Sequence, residues 1–185
     1  MEGAHEKYDR LIARCKSIPP TPTAVAHPCD ESSLRGAIDA SRVGLIVPIL
    51  VGPTARIREV AEKSGLDISR FRIVEAGYSQ ESAARAVELV RNAEAEALMK
   101  GSLHTDELMA AVVKRETGLR TARRISHCFV MDVPGHPDPL IITDAAVNIA
   151  PTLKDRWTSS RTRSICSATW GRRRSGWPSS PRWKR

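Results

Sequence analysis

Residues 97–106 read Ala97-Leu98-Met99-Lys100-Gly101-Ser102-Leu103-His104-Thr105-Asp106, and the reading of the fold turns on them. A short apolar run reaches Met99, and Gly101 permits a tight backbone path. Thr105 then opens a stretch with Leu108, Met109, Val112 and Val113 at helical spacing. A strand that passes through one tight turn into a helix is half of a βα unit, the repeating element of a parallel sheet. The turn would lie at the carboxyl edge of that sheet. There the first N–H groups of the helix have no intrahelical partner and suit an anion, phosphate above all. Lys100 adds a cation and His104 a donor, so Lys100, Gly101, Ser102, His104 and Thr105 are candidate phosphate-binding residues. The spacing is not that of a Walker loop, which needs G-x-x-x-x-G-K-[ST]. A plainer reading stays open beside it: Thr105 as an N-cap, Gly101 as turn punctuation and Lys100 as a solvated strand end.

Outward from this segment, residues 5–116 alternate short β-rich apolar runs with amphipathic stretches. The pattern predicts a leading helix over His5–Lys16, ended by Pro19-Pro20-Thr21-Pro22, then strands at Thr23–His27, Leu45–Val51, Phe71–Val74 and Ala97–Lys100. Helices are expected over Glu31–Ser41, after Gly52-Pro53-Thr54, over Gln80–Glu94 and over Thr105–Glu116. The expected inward faces are Leu34, Ala37 and Ile38; Ile57, Val60 and Ala61; and Ala83, Ala84, Val87 and Val90. Two extended runs, Ile125–Val133 and Leu140–Thr143, follow, joined by a Pro-rich loop or hairpin. The fold class is therefore α/β: a parallel-sheet, three-layer first lobe with only the start of a second α/β lobe. The expected division is a leading helix at 1–20, the first lobe at 21–124, the start of the second lobe at 125–156 and a basic tail at 157–185.

The chain has 185 residues, with 29 Lys and Arg against 21 Asp and Glu, a net charge of +8 and a pI near 9.8. A chain average of that kind points to a polyanion binder, but the excess is local. Arg161, Arg163, Arg172, Arg173, Arg174, Arg182, Lys184 and Arg185 follow Trp157, with no acidic residue among them. The first 156 residues carry equal numbers of each sign and are formally neutral. No apolar run reaches the roughly 18 residues of a membrane span, and the N-terminus lacks the layout of a secretion signal, so the expected location is cytoplasmic. Cys15, Cys29, Cys128 and Cys166 are widely spaced and indicate neither a disulfide framework nor a metal site; no metal is expected.

Three further places could carry chemistry. In Pro28-Cys29-Asp30-Glu31-Ser32-Ser33-Leu34-Arg35, Arg35 stands on the first turns of a helix at the same sheet edge as Lys100, suited to a phosphate; an Arg so placed more often pairs with Asp30 or Glu31 on its own helix. In Thr143-Asp144-Ala145-Ala146-Val147-Asn148, Asp144 and Asn148 follow a strand, with an Asx cap as the plainer reading. His127-Cys128 reads as core. His5, His27 and His136 carry no signal.

Three runs together resemble a known family. Leu50-Val51-Gly52-Pro53, the stretch Ala97–Thr105 and Ile142-Thr143-Asp144-Ala145-Ala146-Val147-Asn148-Ile149-Ala150-Pro151-Thr152 are similar to the phosphate acetyltransferase and phosphate butyryltransferase family over residues 5–156. The likeness lies nearest the butyryl-type branch, including versions fused to a hydratase domain. The resemblance implies two α/β lobes with a cleft between them, commonly in a homodimer, and exchange of coenzyme A for phosphate on an acyl group. It implies acyl-CoA and phosphate as partners, the coenzyme A thioester as substrate, and no separate cofactor, membrane or specific nucleic acid. Arg35, the Lys100–Thr105 segment, Asp144 and Asn148 are the positions it would assign to phosphate and coenzyme A. Acetyl-type relatives carry an Arg early in the helix after the His-Thr-like motif, where this chain has Met109, Ala110 and Ala111. The catalytic Ser and Asp of acetyl-type relatives fall in a portion with no counterpart here, so catalytic residues are unassigned and the chain is expected to be an incomplete, inactive fragment.

The pattern breaks at Arg156. Trp has a single codon, so the frame starting on its third base can be checked: Trp157-Thr158 forces Asp, Trp170-Gly171 Gly, Trp177-Pro178 Ala and Trp183-Lys184 Glu. The codons between permit an amphipathic helix and then a buried strand, the βα continuation the family would supply. Residues 157–185 are thus expected to be a shifted reading frame. The alternative is a nucleic-acid or acidic-surface binding protein that uses 157–185 as a basic arm.

Overall fold

In the computed structural model, which describes residues 6–122, 125–136, 139–144, 147 and 152, the alternating pattern folds into βα units. The elements are α1 (Glu6–Cys15), β1 (Thr21–Ala26), α2 (Glu31–Arg42), β2 (Ile46–Gly52), α3 (Thr54–Lys63), β3 (Arg72–Glu75), α4 (Ser79–Arg91), β4 (Ala97–Lys100), α5 (Thr105–Val113), β5 (Cys128–Met131) and β6 (Leu140–Thr143). The described residues gather into two units, one over 12–121 and one joining the start of α1 to the segment from 122 onward.

In the 12–121 unit, four strands pair in parallel in the order β3-β2-β1-β4. Both faces are covered, because successive side chains alternate sides. Ala24, Ala26, Ile49 and Val51 meet Ala83, Ala86 and Leu89 of α4 and Leu108 of α5. On the other face Val25 and Leu50 meet Leu34, Ala37 and Ile38 of α2 and Ile57, Val60 and Ala61 of α3. Small residues on the α4 side let that helix approach closely. Branched residues fill the α2/α3 side, each fully buried one stabilising the fold by about 1.5–3 kcal/mol. The three-layer expectation therefore holds for this unit.

Proline falls inside two neighbouring strands of this sheet, at Pro22 and Pro48, and the register explains why both are tolerated. A strand residue presents its N–H and C=O to the same neighbour. The Thr21 N–H bonds Leu45 on the β2 side and the Pro22 carbonyl accepts from Glu96 N on the β4 side, so the missing Pro22 donor faces β4. Pairing of β1 with β4 begins only at Thr23 and Ala97, so no ladder bond is lost. Pro48 likewise faces β3, whose pairing begins at Ile49 and Arg72. β1 accordingly starts at Thr21, two residues before the expected Thr23.

Other expectations need correction. The buried face of α4 includes Ser82, Ala83, Ala86, Val87 and Leu89, whereas Ala84 is exposed. α5 ends at Val113 rather than Glu116, because Gly118 and Leu119 fold back to bond Lys114 O (3.0 Å) and Val112 O (2.8 Å). His104, not Thr105, is the N-cap of α5.

In the second unit, β5 and β6 pair antiparallel with Cys128 opposite Thr143 and Met131 opposite Leu140, the hairpin expected for the Pro-rich connection. β5 is shorter than the expected 125–133. Phe129, Val130, Met131, Leu140 and Ile142 are exposed on it. His127 packs edge-on to Phe129, with ring centroids 4.5 Å apart, at intermediate exposure rather than in a core. Lys7 of α1 bonds Asp132 and the Val133 carbonyl. Residues 157–185, with the reading proposed for them, lie outside the described residues. Among the described residues no helix is long and apolar enough to cross a membrane.

Candidate functional site

The carboxyl end of β1 and the turn after β4 are locked to each other. Gly101 N donates to Ala26 O (2.8 Å), and Ser102 donates to His27 O through both its N–H (2.9 Å) and its hydroxyl (2.8 Å). Cys29 N donates to the same His27 carbonyl at 2.8 Å and reaches Ser102 Oγ at 3.3 Å. A Cβ at position 101 would lie 2.4 Å from Ala26 O and 2.5 Å from His27 O, closer than nonbonded atoms come, so the turn demands glycine there. Lys100 and Ser102 stay exposed beside it, as do His104 and Thr105. Lys100 Nζ turns back onto Gly101 O at 3.2 Å.

His27 is the pivot of this arrangement, and the sequence reading passed over it. Its N–H bonds Val51 O of β2 at 2.7 Å, but its carbonyl faces Ser102 on the β4 side. A φ of +57°, in the left-handed region that a non-glycine residue seldom takes, reverses the carbonyl and lets one residue tie both neighbours. Its ring reaches Ser82, fully buried on α4, with Nδ1 3.0 Å from Oγ. Burial lowers the pKa of His27, the Glu107 charge opposing. Position alone could have found it: His27 directly follows a strand at the sheet edge, the rule that singled out Lys100.

Around this pivot, carboxylates secure the starts of three helices. The Asp30 side chain caps α2 by accepting from Ser33 N at 2.8 Å. Glu75 accepts from Thr54 N at 3.1 Å at the start of α3, and Glu107 from His104 N at 2.9 Å at the start of α5. Glu107 also takes the Ser79 hydroxyl (2.7 Å), joining α5 to the first turn of α4. The Ser33 hydroxyl and then its N–H hold Asp30 below the ordinary carboxylate range, with the Lys100 charge acting in the same direction, so Lys100 and the α2 cap share one edge. Ser79 first, then the His104 N–H, does the same for Glu107, and Thr54 for Glu75. Arg35 stands exposed and bonds Glu31 at 2.7 Å, the plainer of its two expected roles. Burial pushes the Cys29 thiol up to about 11, which leaves it inert at neutral pH.

These shifts fix a pH response. Lowered carboxylate pKa values stabilise the fold above the unfolded values, 3.8 for Asp30 and 4.5 for Glu75 and Glu107, and that contribution is lost as pH falls through the folded ones. His27 acts earlier: the fold disfavours its cation, so stability declines once pH drops below 6.5. Urea midpoints measured against pH are expected to show a shallow decline below 6.5 and a steeper one below 4.5, with His27→Asn removing only the first.

In the second unit, Asp144 Oδ1 accepts from Val147 N at 3.1 Å, the Asx geometry allowed for it. Asn148 lies outside the described residues. An open surface pocket of about 360 Å³ between Thr54, Arg58, Phe71 and Ile73 borders β3, the opposite edge of the sheet from β4. Of these lining groups only Arg58 is ionisable.

The β4 side of the β1–β4 edge falls in a segment shared with a known family. Residues 76–158 match the family model described as Phosphate acetyl/butaryl transferase. Over 148 residues the chain is 61% identical to the phosphate acetyltransferase of Rhizobium meliloti, an alignment that takes in 80% of this chain and 47% of that one. The chain is similar to the phosphate acetyl/butyryl transferase family over these residues. Identity to the phosphate butyryltransferase of Clostridium beijerinckii is 36% over 151 residues, covering 82% of this chain and 50% of that one. The expected leaning toward the butyryl-type branch is therefore not supported, since the acetyltransferase is the nearer of the two. A phosphotransacetylase from Streptococcus pyogenes superposes with a TM-score of 0.66 at 18% identity, over 78% of this chain and 53% of that one, a likeness of fold alone. The chain spans about half the length of the curated relatives it matches. The alternative of a nucleic-acid or acidic-surface binder finds no support among these relatives.

Proposed function

We propose that this chain carries the phosphate-handling first lobe, residues 21–124, of a phosphate acyltransferase, with 125–156 as the start of the second lobe. The observation that carries the reading is the Gly101-centred turn. It sets Lys100, Ser102, His104 and Thr105 in solvent at the carboxyl edge of a parallel sheet, inside the segment shared with the family. Backbone N–H groups and one ammonium suit phosphate or the phosphates of coenzyme A. Arg35 is a further candidate, released from Glu31 by a competing anion. Asp144 and Asn148 are candidates of the second unit by themselves.

In the reaction proposed, a phosphate oxygen bonds the thioester carbonyl carbon, the carbon–sulfur bond breaks, and the proton given up by phosphate ends on the coenzyme A thiol. Such a transfer depends on holding both reactants in attack geometry and on stabilising the oxyanion. A chain spanning about half the relatives' length supplies part of that apparatus. The purified chain is therefore expected to bind coenzyme A, moving the amide resonances of residues 100–105, with Lys100→Ala weakening binding about tenfold. It is expected to release no thiol from acetyl-CoA with phosphate. Amides 100–105 that stay still would sink the binding site, and brisk thiol release would sink the claim of insufficiency.

A further inference from the structure

The protonation state of His27 can be read from its neighbours. Ser82 Oγ lies 2.8 Å from the Tyr78 carbonyl oxygen and 3.0 Å from His27 Nδ1. Two oxygens at 2.8 Å attract only with a proton between them, and a carbonyl has none to give, so the Ser82 hydroxyl donates to Tyr78. Having spent its proton there, Ser82 Oγ can only accept from the ring. Nδ1 is therefore the protonated nitrogen and Nε2 carries a lone pair. Nε2 bonds no described residue, and His27 as a whole is only partly buried. Glu107, whose charge acts on the ring, accepts from the Ser79 hydroxyl and the His104 N–H, and no bond joins it to the ring.

We propose that His27, locked as the Nδ1–H tautomer by Ser82, presents Nε2 as a hydrogen-bond acceptor that selects hydrogenphosphate over sulfate beside the Lys100–Thr105 turn. The inference rests on the phosphate-binding reading above and adds a specificity-determining residue to it. Lys100, the Ser102 hydroxyl and backbone N–H groups accept any oxyanion. An imidazole lone pair favours only one that still carries a proton. At mildly alkaline pH both anions carry two negative charges, and sulfate alone lacks the hydroxyl. Burial, which keeps His27 neutral, acts in the same direction. The His27 ring bonds Ser82 while its carbonyl holds Ser102, so the residue that carries the acceptor also anchors the turn.

The test uses the full chain with ¹⁵N-labelled histidine, His27 being assigned by the loss of its signals in His27→Asn, a residue that tolerates positive φ. The ring is expected to show protonated Nδ1 and bare Nε2 at neutral pH, with Ser82→Ala shifting the balance toward Nε2–H. Titration with inorganic phosphate and, separately, sulfate is expected to give about tenfold tighter binding of phosphate, with movement of the Nε2 resonance; His27→Asn brings the ratio to about one. An Nε2–H tautomer in the unmodified chain, equal affinity for the two anions, or a ratio unchanged in both variants overturns the inference alone. Amides of 100–105 that respond to neither anion overturn the binding reading and this inference with it.

Discussion

Gly101→Ala is expected to lower the stability of the 12–121 unit by about 3 kcal/mol, a drop of about 2 M in its urea midpoint. The atoms that the new methyl would meet, Ala26 O at 2.4 Å and His27 O at 2.5 Å, are backbone at the carboxyl end of β1 and cannot swing aside as a side chain would. Relief requires β4 to move off β1, which breaks the Gly101 N–Ala26 O and Ser102–His27 O bonds together. The Lys100–Thr105 amides should therefore lose their positions even in molecules that remain folded. Gly65→Ala is the control: its φ is +61° with nothing within 4 Å of a Cβ, so it carries conformational strain without collision and should cost about 1 kcal/mol. Equal effects at the two positions would refute the steric account.

A comparable loss is expected from Leu50→Ala. Leu50 is fully buried in β2, flanked by β1 and β3, and contributes to the cluster formed with α2 and α3. Truncation removes its transfer free energy and leaves a cavity under two helices, together about 3 kcal/mol. Ile142→Ala, a change of similar size on the half-exposed β6, should alter stability by no more than about 0.5 kcal/mol. Urea unfolding followed by circular dichroism separates the two; similar midpoints would mean that the core is not where the burial pattern puts it.

The elements were legible where periodicity and local chemistry agreed. β4 and β6 have the bounds expected from their apolar runs, and the three-layer arrangement follows from the strand-helix alternation. Misreadings arose where a non-local partner decided the outcome. Ser82 reads as a polar outward residue, yet it is buried because Tyr78 and His27 satisfy its hydroxyl, and this turns α4 so that Ala84 faces water. Thr105 looks like the cap by residue type; His104 takes the place because Glu107 reaches back to its N–H. The place of His27 at a strand end was legible, but its tie to Ser82 was not, since that partner lies 55 residues away and the backbone conformation of His27 appears only in the fold. Arg35 had two plausible partners on paper, and the one a single turn away holds it.

The two strand prolines have a mechanical consequence. Because Pro22 and Pro48 sit where β4 and β3 have yet to begin, the sheet is two strands wide at its amino end and four wide at its carboxyl end. A wedge of this shape opens from its thin end, where fewest bonds resist. Amide exchange is therefore expected to be faster at the two-strand end than at the edge that holds His27 and Gly101.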